Sequence, residues 1–273
     1  MKLTPHAIRL FQKTILTHYA ESGRDLPWRK TDNPWQILVS EMMLQQTQAS
    51  RVVPFFKRFV KQFPTPSACA SASLKEVLTA WQGLGYNRRA LALKGSAEIL
   101  VRDFGGRVPN NAEKLDALPG IGPYTAGAIQ AFAFNEPAVF IETNIRSVFL
   151  HFFFPRRRKV SDEEILKLVE QTLPMKVQPF SRSKVEPFKI SEWYSALMDY
   201  GAMLKVTVGN PNTKSTEYAK QSRFKGSRRE LRGQMLRQAL RGPIKEGSAP
   251  EIISDLVAEG FLQKQGRGFI LAS

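Results

Sequence analysis

The eight residues Leu118–Thr125 constrain the fold of this chain more than any other stretch. They read LPGIGPYT, and the helical patterns on either side, at 111–117 and from Tyr124 onward, cannot run through that proline and those glycines. Two glycines let the backbone approach a ligand closely, and the N-terminus of the following helix attracts anions. The stretch therefore predicts a helix, a tight hairpin and a second helix that bind an anionic oxygen. A glycine-rich loop that only joins packed helices is the alternative.

The charge of the chain indicates the class of partner. Lysine and arginine number 40 against 24 aspartates and glutamates, a formal net charge of +16 over 273 residues. Such an excess favours a polyanionic partner, nucleic acid first and an anionic membrane surface second. No apolar run approaches the roughly 20 residues that span a bilayer, and the N-terminus lacks the apolar core of a secretory signal. We therefore expect a cytoplasmic monomer that binds double-stranded DNA, associated with the nucleoid in a prokaryote, and no membrane partner.

Helical periodicity dominates the rest of the sequence, so an all-α fold is expected. Asn33 followed by Pro34 is typical of a helix start, and Ser73 with Glu76 predicts a capping box. Small and polar residues prevail between 206 and 227, which predicts a linker. Beyond it, two amphipathic helices and a terminal hairpin indicate a small winged-helix-like module. A pair of antiparallel helices with a frayed tail would give a similar pattern.

Two glutamates differ in their surroundings. Glu41 lies on an apolar helical stripe, where desolvation should raise the pKa of its carboxyl group, as suits a proton donor near neutral pH. Glu142 follows an apolar run and precedes a helix, where positive partial charge favours the ionised form. A fixed carboxylate there can stabilise an oxocarbenium-like sugar when a glycosidic bond breaks. The alternatives are a partly solvated glutamate at position 41 and a plain helix cap at position 142.

Several motifs, in the same order along residues 24–204, resemble those of the helix-hairpin-helix (HhH-GPD) DNA glycosylases, especially the MutY-like A/G-specific adenine glycosylases. They are DLPWR at 25–29, SEMMLQQTQ at 40–48, WQGLGY at 81–86, and LPGIG followed by YTAGAI at 118–129. The resemblance implies a two-lobed, all-α glycosylase fold that ends in the winged-helix-like module. The implied divisions are a six-helix barrel lobe at 22–134, a second lobe with the catalytic carboxylate at 1–21 and 135–205, a basic linker at 206–227, and the module at 228–273.

Carried over residue by residue, the resemblance assigns three sets of roles. Glu41 would protonate the departing base, and Glu142 would replace the family's catalytic aspartate with a side chain one methylene longer. The implied catalytic residues are Glu41, Glu142, Tyr124 and Asn144. A glycosylase must flip its base out of the duplex, and the implied contacts to the base and its neighbours are Arg24, Trp28, Arg29, Gln46, Thr47, Leu84, Tyr86 and Ser195. The implied contacts to the DNA backbone are Gly120, Ile121, Gly122, Tyr124 and Thr125.

The sequence also departs from the family. Relatives that nick the strand carry a lysine where this chain has Tyr124, so we expect base removal without lyase activity. Most members hold a [4Fe–4S] cluster on four cysteines. At those spacings this chain has Lys205, Asn212, Ser215 and Gln221, and its single cysteine is Cys69. We therefore expect no cofactor and no metal, apart from a monovalent cation of the kind that such hairpins often hold.

The expected function is that of a monofunctional glycosylase in base excision repair, which hydrolyses the bond to a flipped adenine in mispaired or 8-oxoguanine-paired DNA. Two features keep alternatives open. The chain ends at Ser273, without a C-terminal domain for 8-oxoguanine, and Ser195 stands where a Gln or Glu would read the adenine edge. The alternatives are a glycosylase for thymine or uracil opposite guanine, and a non-catalytic DNA-binding protein.

Salt-dependent attraction to phosphates is expected from two groups of basic residues, Arg156–Lys159 and the set Arg223, Lys225, Arg228, Arg229, Arg232 and Arg237. Lys205, Lys214 and Lys220 are also expected to lie along the DNA.

Overall fold

The computed structural model describes residues 1–174, 189–219 and 223–272. Helices dominate these residues, and a small sheet lies near the end of the chain, which confirms the expected fold class. In chain order the helices are α1 (Pro5–Ser22), α2 (Pro34–Leu44), α3 (Ala49–Gln62), α4 (Pro66–Ser71), α5 (Leu74–Trp81), α6 (Arg88–Phe104), α7 (Ala112–Asp116), α8 (Pro123–Phe134), α9 (Thr143–Phe153), α10 (Asp162–Thr172), α11 (Ile190–Thr207), α12 (Arg228–Arg241) and α13 (Pro250–Ala258). No helix in the described ranges is long and apolar enough to cross a lipid bilayer.

The chain divides into two compact units. Unit 1 consists of Met1–Asp32, Asn110–Glu113 and Gly122–Lys220, and unit 2 consists of Asn33–Pro109, Lys114–Ile121 and Gln221–Ser273. The division differs from the expected lobes because α8 groups with unit 1, where it packs on α11. The terminal module groups with unit 2, where α12 packs near α5.

Unit 1 has an aromatic core between α1, α9 and α11. Phe11 of α1 contacts the rings of Phe149 and Trp193, with centroids 5.4 and 5.9 Å away. α11 and α9 approach each other closely, since a Cβ at Gly201 would lie 2.1 Å from the carbonyl oxygen of Asn144. Only glycine permits this approach. The first turn of α9 is therefore packed directly on α11.

Unit 2 is organised around α2, which is buried along most of its length. The Asn33 side chain accepts hydrogen bonds from the N–H groups of Trp35 and Gln36, so the predicted cap is confirmed. The predicted capping box of Ser73 and Glu76 is confirmed at the start of α5. The short helix α4 was not predicted, because its Ala- and Ser-rich sequence has little periodicity and its packing on α6 is a tertiary contact.

The winged-helix-like module is confirmed at the end of unit 2. Strands β1 (Ile244–Lys245), β2 (Leu262–Gln265) and β3 (Gly268–Leu271) form an antiparallel sheet in the order β1-β3-β2. The register pairs Ile244 with Phe269 and Gln263 with Ile270. β1 was not predicted because two residues are too few for an alternating pattern.

The expected linker at 206–227 is corrected over its first half. α11 continues to Thr207, and a 3-10 helix follows at Pro211–Lys214. Asn212 is 2% exposed, and the N–H of Thr216 donates to the carbonyl of Val160 at 3.1 Å. The segment was misread because it packs through polar hydrogen bonds, whereas the prediction considered apolar burial alone.

Candidate functional site

Gly120 makes the tight turn of the hairpin possible. Its φ is +76°, and a Cβ there would lie 2.8 Å from the Cβ of Ala92 and 2.9 Å from Cε of Met42. Both the left-handed backbone and the crowding require glycine. Gln45, just after α2, donates its side-chain amide to the Gly120 carbonyl at 3.0 Å. Within unit 2, the turn is therefore fixed to the end of the helix that carries Glu41.

The helix α8 begins directly after this turn. Its N-cap, Gly122, has extended backbone and carries no side chain that could accept from the first N–H groups. A helix N-terminus whose cap residue has no side chain suits an anionic ligand. In the first turn Thr125 is 3% exposed, and the ring of Tyr124 lies 5.7 Å from that of Phe140. Binding of a phosphate or a cation at this hairpin stays a prediction.

Glu41 lies on α2 among apolar residues. It is only 5% exposed, and its helical neighbours Leu38 and Met42 are fully buried. This is the apolar environment that the sequence predicted. The role of Glu41 as a proton donor stays a prediction.

A buried arginine, Arg89 at the start of α6, was not identified from the sequence. Its guanidinium donates to the carbonyls of Met42 and Met43 at 2.9 and 2.8 Å, and also to that of Gln45. The second terminal nitrogen donates to Thr47 Oγ1 and to the Gly85 carbonyl, both at 3.1 Å. Burial lowers the pKa of Arg89 to about 10, which leaves the group charged near neutral pH.

Arg89 therefore joins the two segments that carry the predicted duplex contacts Gln46 and Thr47, and Leu84 and Tyr86. One segment is Gln45–Thr47, at the end of α2, and the other is Gly83–Tyr86. A signal was present, because Arg89 shares the helical stripe of Leu93 and Ala97, which are fully buried. Nothing in the sequence says which backbone carbonyls such an arginine would meet.

The tip residues of these two segments have unusual backbones. Gln46 and Tyr86 have φ of +54° and +52°, although neither is glycine. Strained residues of this kind occur often at functional sites. Leu84 requires a correction: it is 2% exposed, so it lies beneath the loop and does not project from it as a duplex wedge would. An apolar side chain is more stable in that buried position.

Glu142 is the N-cap of α9. Its Oε1 accepts from the N–H groups of Asn144 and Ile145 at 2.7 and 2.9 Å, and its Oε2 accepts from the Asn144 side-chain amide at 3.1 Å. The sequence analysis gave a helix cap and a fixed carboxylate as alternatives for Glu142. In the structure the hydrogen bonds that cap α9 are the ones that fix the carboxylate. These hydrogen bonds fix the positions of both side-chain oxygens at the start of α9.

Arg24 and Arg29 both bind Asp199, an acid on α11 that the sequence analysis missed. Arg24 Nε and Arg29 Nη2 donate to Oδ1 at 2.6 and 2.7 Å, and Arg29 Nη1 donates to Oδ2 at 2.8 Å. Burial alone would raise the pKa of Asp199, but hydrogen bonds from Arg29 and Arg24 lower it below its usual value. The two arginines are therefore held in an ion-pair network within unit 1. The sequence analysis assigned them only to the base and its neighbours and did not include this structural role.

The remaining predicted base contacts in unit 1, unlike Arg24, are buried. Trp28 is 7% exposed and Ser195 is 3% exposed, and the Ser195 carbonyl accepts from Arg29 Nη2 at 3.2 Å. The structure places Arg24, Trp28, Arg29, Ser195, Tyr124, Thr125, Gly122, Glu142 and Asn144 in unit 1, and it places Glu41, Gln46, Thr47, Leu84, Tyr86, Gly120 and Ile121 in unit 2.

The positions at the family's cluster spacings do not suit an iron–sulfur cluster. Such clusters are held by thiolates, whereas Lys205 and Asn212 carry nitrogen donors that bond to protein acceptors. Cys69 is in unit 2, and burial raises the pKa of its thiol to about 12. In the ranges that the structure describes, no three His, Cys, Asp or Glu residues are grouped as a metal site would need. Lys220 and Gln221 lie outside the described residues.

Some of the basic residues expected at DNA phosphates form internal ion pairs. Arg228 donates to Asp255 of α13 at 2.6 Å, and Arg232 pairs with Asp255 and with Glu259, which directly follows α13. Arg157 is likewise paired with Glu164. These three arginines have internal partners, and their attraction to DNA phosphates stays a prediction. Sequence charge counting does not reveal such pairing.

The chain is similar in sequence to DNA glycosylases and matches one family of DNA repair proteins. Residues 39–175 match the family described as HhH-GPD superfamily base excision DNA repair protein. The chain is 49% identical over 135 residues to an adenine DNA glycosylase of Mycobacterium tuberculosis, covering 49% of this chain and 44% of that protein. It is 34% identical over 169 residues to a thymine/uracil-DNA glycosylase of Pyrobaculum aerophilum, covering 60% and 74%.

A solved structure supports the same fold. A thermostable thymine-DNA glycosylase superposes with a TM-score of 0.60 at 26% identity, covering 72% of this chain and 87% of that one. The chain spans about half the length of the first adenine DNA glycosylases that it matches.

Proposed function

Because the chain belongs to the HhH-GPD superfamily of base excision DNA repair proteins, we propose that it is a monofunctional DNA glycosylase. Its substrate is a flipped adenine in mispaired or 8-oxoguanine-paired duplex DNA, and it hydrolyses the N-glycosidic bond. It acts as a monomer in the cytoplasm. The adenine assignment is supported by the 49% identical relative, which is itself called an adenine DNA glycosylase.

The proposed reaction uses the two glutamates in different protonation states. Glu41 donates its proton to a ring nitrogen of the adenine, which makes the base a better leaving group. The bond from the sugar to the base breaks, and the electron pair leaves with the base. The carboxylate of Glu142 stabilises the positive charge that develops on the sugar. Water then adds to the sugar and loses a proton, which restores the acid form of Glu41 and leaves an abasic site and free adenine.

The hydrogen-bonded carboxylate of Glu142 carries this proposal. Its oxygens are fixed by two backbone N–H groups and by Asn144. A carboxylate that is fixed before the reaction stabilises a developing cation without reorganisation. Tyr124, in place of the lysine of strand-nicking relatives, supports hydrolysis without an imine to the sugar and therefore without lyase activity.

A second candidate is the removal of thymine or uracil opposite guanine. It is favoured by the thymine/uracil-DNA glycosylase relative, because the chain covers 74% of that protein. Ser195 also differs from the Gln or Glu that would read the adenine edge.

A panel of duplexes separates these candidates. We expect abasic sites, detected by alkaline cleavage, in duplexes that carry A:8-oxoguanine and A:G, and few in those that carry T:G or U:G. Strands not treated with alkali should remain intact. The reverse pattern would favour the second candidate. If no duplex of the panel yields abasic sites, the enzyme assignment fails and the non-catalytic DNA-binding alternative stands.

Replacement of Glu142 by glutamine tests the role of the charge. The amide oxygen can still cap α9, but the negative charge is lost, so the single-turnover excision rate should fall by about 10²- to 10³-fold. The matched control is Glu76→Gln, because Glu76 also accepts a backbone N–H at a helix start and should keep the full rate. An unchanged rate in Glu142→Gln would show that the carboxylate is not needed.

A further inference from the structure

Two polar side chains from the cluster positions bind the first turn of α9. Lys205 Nζ donates to Asn144 Oδ1 at 2.7 Å. Asn212 Nδ2 donates to the Thr143 carbonyl at 2.9 Å and to Ser147 Oγ at 2.7 Å. The acceptors, on Thr143, Asn144 and Ser147, all lie in the first turns of the helix that follows Glu142. Two of the four positions at the family's cluster spacings, Lys205 and Asn212, thus donate to the helix that begins after Glu142.

The contact of Lys205 continues through Asn144 to Glu142. Asn144 receives the ammonium proton on its amide oxygen, and its amide nitrogen donates to Glu142 Oε2 at 3.1 Å. An ammonium group can only donate, and a carboxylate can only accept. Lys205 on one side and Glu142 on the other therefore allow a single orientation of the Asn144 amide. In the opposite orientation, the amide oxygen would face the carboxylate and the amide nitrogen would face the ammonium.

The packing of α11 explains why Lys205 reaches Asn144. Gly201, one helical turn earlier, lies directly against the Asn144 backbone, where a Cβ would be 2.8 Å from Cα of Asn144. Residues four apart share a helix face, so the close approach at Gly201 brings the side chain of Lys205 to the same turn of α9. Lys205 is half-buried, and burial lowers its pKa although the charge of Glu142 opposes the change.

We propose that Lys205 is a positioning residue for the reaction: it fixes the Asn144 amide so that the amide donates to Glu142 and holds the carboxylate in its catalytic position. The inference rests on the proposed function, in which Glu142 stabilises the developing sugar cation. Asn212 stabilises the same turn of α9 by its hydrogen bond to the Thr143 carbonyl. Lys205 acts through Asn144, so it is not itself a catalytic residue. This role differs from the expectation that Lys205 follows the DNA backbone.

The test begins with Lys205→Met, which keeps the apolar stem and removes the donor. Under single-turnover conditions with saturating protein, the excision rate should fall about tenfold, while the Kd for the duplex should change no more than in Lys13→Met. Lys13 is an exposed lysine of the same unit and serves as the control for loss of one charge. Lys205→Arg, which remains a pure donor, should keep most of the rate. A weaker Kd with an unchanged saturated rate would overturn the proposal in favour of a phosphate contact.

A double-mutant cycle with Asn144→Ala shows whether the effect passes through Asn144. Once the amide is absent, Lys205→Met should cause at most a small further loss of rate, because only the longer contact from Lys205 Nζ to Thr143 Oγ1, at 3.4 Å, still leads to Glu142. A tenfold loss in both backgrounds would overturn the proposal, because Lys205 would then act independently of Asn144. General loss of folding would reduce the rate in both backgrounds and would also lower the unfolding midpoint of Lys205→Met below that of Lys13→Met.

A readout independent of activity separates this inference from the proposed function. The side-chain amide protons of Asn144, assigned by NMR from their loss in Asn144→Ala, should exchange with solvent faster in Lys205→Met than in the unaltered protein. Unchanged exchange would overturn the positioning role, whether or not the protein excises a base. If exchange accelerates but no duplex of the panel is cut, the amide is positioned by Lys205 and the proposed function alone has failed.

Discussion

The Glu41→Gln variant should release base from duplex DNA about 10²- to 10⁴-fold more slowly than the unaltered protein, the usual contribution of a positioned general acid. Glutamine has nearly the same shape and fits the 5% exposed position on α2, but it carries no proton to donate at neutral pH. Single-turnover formation of alkali-labile sites, in the duplex from which the unaltered protein releases base fastest, measures the effect.

The matched control is Glu21→Gln, an exposed glutamate near the end of α1, which should leave the rate unchanged. Duplex binding by Glu41→Gln should remain close to that of the unaltered protein, because a buried residue contributes little to long-range attraction. A rate within a few-fold of the unaltered protein would contradict the role of Glu41 as the acid. The base would then have to depart without protonation by this residue.

Replacement of Arg89 by methionine should lower the free energy of unfolding by about 3 to 5 kcal/mol, as expected when one member of a buried charged network is removed. Methionine can fill the volume of the stem. It leaves the carbonyls of Met42, Met43, Gln45 and Gly85 and the hydroxyl of Thr47 without their donor. Buried acceptors that lose their partner retain the full cost of desolvation. Urea unfolding followed by circular dichroism gives the free energy.

Arg88→Met is the appropriate comparison, because Arg88 is adjacent and pairs with Glu259 from a side chain that is 71% exposed. Exposed ion pairs contribute about 0 to 1 kcal/mol, so this variant should unfold near the unaltered midpoint. Equal stability losses at positions 88 and 89 would show that the buried hydrogen bonds of Arg89 do not stabilise the junction of the two segments. Excision by Arg89→Met should also fall at temperatures where the protein is still folded.

The hairpin and the caps illustrate what could be predicted from the residues alone. Gly120, Gly122, Asn33 and Ser73 act on backbone groups within a few positions of themselves, so their effects are readable from neighbouring letters. The burial of Glu41 was predictable for the same reason, because the apolar stripe around it lies on its own helix.

Other features of the candidate site could not be predicted. Leu84 was placed in the duplex because its loop resembles a DNA-contacting loop, yet the side chain is buried. Arg24 and Arg29 were assigned to the base, yet both bind Asp199. Charge counts do not show which cations already have an internal anion, as Arg228 has in Asp255 and Arg232 has in Glu259.

The sequence by itself determined the helical class, the hairpin, the family and the identity of both candidate glutamates, because each depends on local periodicity or on a contiguous motif. Only the tertiary structure decided how those groups are held. The partners of Arg24, Arg89 and Lys205 lie 175, 47 and 61 positions away along the chain. Hydrogen bonds across such separations depend on which helix faces pack together, and that packing results from the burial of the whole chain rather than from any short segment.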